Sequence, residues 1–210
     1  MENNNRSGIQ DSVAKIISVI FHPLFMPLYG MLIIFTAPTL FWYIPFKVKM
    51  ILFLVVMINN ILIPVSLIPF FRYRNIISSW IIETRKDRII PLISVSFFYS
   101  ITSFIMFRLQ IPVFLKAYIF STTIIVVCAT IINFWWNISL HSVSAGALSG
   151  IIIVLSVNMM VPLTWFLLPG ILIGGLVLYS RLKLNSHNPF QVYIGFLTGF
   201  AGMNLFMLFF

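Results

Sequence analysis

The sequence predicts an all-α, polytopic transmembrane helix bundle with six to seven spans. Three observations carry that expectation. Charged residues are 8% of the chain, 13 Lys or Arg against 4 Asp or Glu, where a soluble domain carries roughly 25%. Hydrophobic residues make up 60%, and the mean hydropathy is +1.07, too apolar to coat a water-soluble fold of 24.1 kDa. The charges also fall in clumps, leaving uncharged runs at 16–46, 50–71, 89–107, 117–180 and 184–210. Several exceed the ~20 residues that a helix needs to cross ~30 Å of hydrocarbon. Soluble enzymes, secreted disulfide scaffolds and nucleic-acid modules are excluded as main readings.

Prolines and charges set the order of elements. Residues 1–22 read as a polar tail and a short interfacial helix over 13–22, ended by His22-Pro23; residues 23–210 read as a single transmembrane domain. The start is polar and the apolar run after Lys15 has no small-residue cleavage site, so no cleavable signal is expected. A first span covers about 24–43, with Pro27 and Pro38 as kinks or boundaries. The second, 50–71, carries Asn59, Asn60, Pro64 and Pro69, which argue against a straight lipid-facing helix. A hydrophilic segment from Phe71 to Arg88 leads to a third span at 89–107. The run 117–180 fits three spans, 117–136, about 142–158 and 164–180, and 190–210 forms the last. The total is seven, or six if the proline-broken first segment does not cross.

Parity then brings distant residues together. Two spans separate Arg88 from His141, and two more separate His141 from His187. An even number of crossings returns the chain to the same face. Polar clusters around Arg85–Arg88, Ser139–His141 and Ser180–His187 therefore meet at one membrane surface.

Each cluster has a functional and a plain reading. In Glu83–Pro91, Arg85 and Arg88 share a helical face and offer forked donors suited to phosphate; the plain reading is a snorkelling basic collar. In Ser139–Gly150, His141 stands at the mouth of a helix rich in small residues, where helix amides favour an anion. The plain reading is an interfacial His beside a packing seam. In Ser180–Gly195, Arg181 closes one span, His187 opens the next, and Gln191 follows one turn later, able to accept from His187 Nδ1–H and hold the ring.

Two His and several Arg on one face are the parts for phosphoryl transfer without a metal. Arg neutralises the phosphate, one neutral His attacks phosphorus, and the other, protonated, gives its proton to the departing alkoxide. A metal route is starved, because the only acids are Glu2, Asp11, Glu83 and Asp87 and hard cations need carboxylate cages. No metal and no cofactor is expected. The same shortage argues against prenyltransferases and CDP-alcohol transferases. The net charge of +9 fits basic loops beside anionic lipid or a headgroup site, not nucleic acid. The lone Cys128 forms no internal disulfide.

Ser180-Arg181, five residues, His187, three residues and then Gln191 resembles the third signature, SRxxxxxHxxxD, of the type-2 phosphatidic acid phosphatase superfamily. Ser139-Leu140-His141 resembles the second, PSGH, and Lys86, Arg88 and Pro91 match the first, KxxxxxxRP, loosely. The resemblance covers about 85–200. It implies an integral membrane lipid phosphatase with His187 as the nucleophile and His141 as the leaving-group acid. Arg181, with Arg88, Lys86 and Arg85, would bind phosphate with help from Ser139, and Gln191 would take the orienting role of the family's Asp. Implied substrates are a phosphatidate, a polyprenyl diphosphate or a lipid A phosphate.

The resemblance also implies a bacterial inner-membrane protein with its site on the periplasmic or outer face. The positive-inside count points the other way, since only Lys47, Lys49, Arg108 and Lys116 lie opposite the clusters. One alternative is a catalytically weak or inactive relative that binds or moves an anionic lipid. A further idea is a rhomboid-like serine protease built on Ser149. His22 matches no signature and reads as interfacial, and the 22 Phe with Trp80, Trp135 and Trp136 read as lipid-facing surface and belt.

Overall fold

The structure, a computed structural model, describes residues 2–80 and 84–208, with side chains from Gly8. Glu83 of the first cluster lies outside the described residues. Those residues form nine α-helices and no strand: α1 (Glu2–Ile20), α2 (Met26–Thr36), α3 (Phe46–Met57), α4 (Ile63–Tyr73), α5 (Arg85–Arg108), α6 (Val113–Asn133), α7 (Leu140–Met159), α8 (Thr164–Lys183) and α9 (Pro189–Leu208). Among the described residues, seven segments are long and apolar enough to cross a membrane: Gly8–Thr36, Phe46–Tyr73, and each of α5 to α9. The chain is an all-α integral membrane protein.

The N-terminal region differs from the expected polar tail and from the first span expected at about 24–43, since the apolar segment runs Gly8–Thr36 and α2 ends at Thr36. It is helical from Glu2, and α1 packs against the C-terminal end of α8, where Asp11 lies 3.9 Å from Lys183 and Ser18 bonds Arg181. A 3-10 turn at Pro23–Phe25 bends the chain into α2. His22 begins that turn in extended backbone, as a residue before proline tends to, and its Nδ1 accepts from Leu24 N–H at 3.3 Å.

α3 and α4 join through a π-helical turn at Ile58–Leu62. Pro64 offers no N–H to the Asn60 carbonyl and its ring crowds that position, so the widened turn precedes it. Asn60 is buried there and accepts from Thr102 of α5 at 2.6 Å. Between α5 and α6 hydroxyls pair directly, Ser96 with Thr130 and Ser103 with Thr123, both at 2.8 Å. Such bonds hold helices together where lipid supplies no hydrophobic drive.

α7 and α9 pack most closely. A Cβ on Gly146 would stand 2.0 Å from the Phe196 carbonyl oxygen, and one on Gly199 would stand 1.8 Å from that of Val143. Only glycine permits this backbone approach. It fixes the start of α7, which carries His141, beside the start of α9, which His187 precedes; Ser139 N–H points at Gln191 O, 3.5 Å away.

Candidate functional site

His187 sits in the turn between α8 and α9. Asn185, at φ 50°, takes the left-handed conformation that ends α8. Pro189 then opens α9 with a φ already suited to a helix. Asn188 and Gln191 close a reciprocal capping box: Asn188 Oδ1 accepts from Gln191 N–H at 2.9 Å, and Gln191 Oε1 accepts from Asn188 N–H at 3.2 Å. The same Oε1 stands 3.1 Å from His187 Nδ1. An amide oxygen only accepts, so Nδ1 carries the proton and Nε2 presents its lone pair.

That lone pair faces Arg88 Nη1, 3.5 Å away. Arg88 is held from the other side by Asn137 Oδ1, which accepts from Nη1 at 3.1 Å. Burial pushes the His187 pKa below its ordinary value. The bond to Gln191 and the Asn137 carbonyl pull it up, Arg88 and Arg181 press it further down, and the net direction is downward. His187 is therefore a neutral imidazole at neutral pH.

Arg181, 8% exposed, lies in the last turn of α8 and donates to Ser18 Oγ. Its Nε is buried with no hydrogen-bond partner among the described residues. The Ser18 carbonyl accepts from His141 Nε2 at 3.2 Å, so one residue of α1 holds both Arg181 and His141. The rings of His22 and His141 meet edge to face, centroids 5.4 Å apart at 84°. Arg88, Arg181, His22, His141 and His187 all line one cavity of about 280 Å³.

Other expected residues stand elsewhere. Arg85 turns towards the end of α6 and donates to the Phe134 carbonyl at 3.0 Å, and Lys86 is exposed. Ser139 is fully buried under the start of α7, accepting from Ser142 Oγ at 2.9 Å. None of the three lines the cavity, so the expected phosphate set contracts to Arg88 and Arg181. Gln191 lies behind His187, outside the lining. Ser149 bonds back to Ala145 O at 3.0 Å and is also outside it, which leaves the protease idea without a nucleophile beside a histidine.

His22, expected to be interfacial and to match no signature, also lines the cavity. Ser18 and Asn137 were not anticipated. Both lie in segments that carry no motif, and only the fold brings them in. Among the described residues no group of three or more His, Cys, Asp or Glu is placed to hold a metal ion.

Fold and site together define a helical membrane protein with a basic, histidine-lined cavity at one end of its bundle. Compared with known proteins, the chain matches no family model, no curated protein and no solved structure.

Proposed function

We propose that the chain hydrolyses the phosphate ester of a membrane lipid or isoprenoid by a histidine-based route that needs no cofactor. The observation that supports this reading is the alignment of His187: Nδ1–H tied to Gln191, Nε2 aimed at Arg88, both beside a cavity that Arg181 and His141 share. Arg88 and the unsatisfied Nε of Arg181 grip the phosphate oxygens. His187 Nε2 attacks phosphorus, forming an N–P bond as the P–O bond to the lipid alcohol breaks.

His141, protonated when the anionic phosphate enters beside it, gives its proton to the departing alkoxide. Its Nε2–H is held by the Ser18 carbonyl, so Nδ1 is the nitrogen that releases the proton. The neutral His141 then takes a proton from water, which attacks the phosphohistidine, breaks N–P and frees inorganic phosphate. The site would face the periplasm of a bacterial inner membrane.

Phosphate release in detergent with EDTA present tests this reading. His187→Ala should lose about 10⁴-fold or more in kcat and His141→Ala about 10²–10⁴-fold. Equal rates in parent and both variants would overturn it. A second reading, a non-catalytic binder of anionic lipid, is favoured by one feature: the partner of His187 is a neutral amide where catalytic His commonly has a carboxylate. Headgroup binding that survives His187→Ala, with no turnover in the parent, selects that reading.

A further inference from the structure

The cavity is far longer than a phosphate. Its basic and histidine residues sit at one end. From there Arg88, Leu92, Val95 and Tyr99 follow one face of α5, while Ala129, Val126, Thr122 and Tyr118 follow the facing side of α6 in the reverse direction. Eleven positions along a helix, from Arg88 to Tyr99, correspond to about 16 Å. That is roughly half of the ~30 Å hydrocarbon thickness, the depth of one leaflet. Tyr99 and Tyr118 lie at the deep end, both almost wholly buried, and the Tyr118 hydroxyl is tied to the Pro27 carbonyl at 2.9 Å.

Below its mouth the lining is apolar apart from the hydroxyls of Thr122, Ser144 and the two tyrosines. It therefore complements a hydrocarbon chain and not a sugar or a nucleotide. Its volume limits how much can enter. A cavity of about 150 Å³ accepts one benzene, so the 280 Å³ found here, its mouth included, takes about a dozen heavy atoms. That is room for a phosphate and part of one acyl or prenyl chain, and too little for two acyl chains.

We infer that this cavity is a single-chain shaft, and that the ligand is a phosphate ester carrying one hydrocarbon chain whose tail enters the bundle while its phosphate stays between Arg88 and Arg181. The inference rests on the phosphatase reading for turnover but not for binding. Free phosphate would use the mouth alone. A two-chain phosphatidate would have to leave at least one chain outside.

Two arms separate the claims. In mixed micelles, phosphate release is compared for dodecyl phosphate, butyl phosphate and dioleoyl phosphatidate at equal mole fraction. The parent should prefer dodecyl phosphate to the phosphatidate by about tenfold or more. Val126→Phe and Val95→Phe, which fill the shaft from two different helices, should each lower the dodecyl-to-butyl ratio of kcat/KM by about tenfold. Equal turnover of one-chain and two-chain esters in the parent, or an unchanged ratio in both variants, overturns the shaft.

The second arm reads calorimetric binding of dodecyl phosphate and inorganic phosphate to His187→Ala and to its double variants with Val126→Phe or Val95→Phe. Dodecyl binding at least about tenfold tighter than phosphate, and weakened by filling, supports the shaft even if no substrate is turned over. Equal binding of the two probes overturns it even if the enzyme is active.

Discussion

Gln191 serves His187 and its own helix with a single oxygen: Oε1 lies 3.1 Å from His187 Nδ1 and 3.2 Å from the Asn188 N–H. The capping box gives a local reason for a glutamine here, independent of any chemistry. It also leaves the imidazolium form of His187 with a neutral partner. Gln191→Glu keeps the length of the box and adds a charge. A carboxylate favours the protonated ring, so the His187 pKa rises and the nucleophile is lost sooner as pH falls. The acid limb of kcat/KM should move to higher pH by about one unit or more. A pH–rate profile of parent and variant checks this, and an unmoved limb would show that His187 does not set it.

The spans from α5 to α9, the convergence of Arg88, His141, Arg181 and His187, and the bond from His187 Nδ1–H to Gln191 follow from charge spacing, crossing parity and helical period. Those are local or topological facts, and one sequence carries them. The first span is the exception, expected at about 24–43 and found at Gly8–Thr36. The division of labour among neighbours does not follow. Arg85 and Arg88 share a face on paper, but α5 passes the end of α6 so that Arg85 meets the Phe134 carbonyl while Arg88 reaches the cavity. Nor could Ser18 be seen. It lies in an apolar run, and its part depends on how α1 folds back on α8.

Arg88 and Arg85 should therefore separate sharply in function. Arg88→Ala removes a donor aimed at the site and should cost about 10²–10³-fold in kcat/KM. It also removes a positive neighbour of His187, so the remaining activity should fall away at a higher pH than in the parent. Arg85→Ala takes away only a bond to a backbone carbonyl, and kcat/KM should stay near the parent value. Steady-state kinetics on both variants decides the point, and equal losses would put Arg85 back among the phosphate ligands.

Ser18 ties α1 to the site through both of its polar groups. Ser18→Ala deletes the acceptor for Arg181 and keeps the carbonyl that holds His141. A buried guanidinium left with a further unmatched donor costs about 1–3 kcal/mol. Phosphate affinity should weaken more than the chemical step, raising KM with a smaller change in kcat. Ser18→Thr retains the hydroxyl and should restore most of the loss. His22→Ala removes the ring against His141 and should lower kcat instead, because the His141 ring loses its lateral support. Ser18→Ala and His22→Ala proteins with the same KM and kcat as the parent would remove α1 and the turn after it from the site.

The glycine seam connects stability to activity. On α9, Gly199→Ala would put a methyl group 1.8 Å from the Val143 carbonyl oxygen, a backbone atom that cannot swing aside. α7 and α9 must then move apart, at an overpacking cost of about 1–3 kcal/mol. Gly175 on α8 has nothing within 4 Å of the same added carbon. Gly175→Ala should be neutral or stabilising by up to about 1 kcal/mol through helix propensity alone. Thermal unfolding in detergent should thus lower the Tm of Gly199→Ala and leave that of Gly175→Ala unchanged or raised. Because α7 carries His141 and α9 follows His187, the first variant should also lose activity at temperatures where it remains folded. A folded, fully active Gly199→Ala protein would show that the seam holds the bundle together without setting the distance between the two histidines.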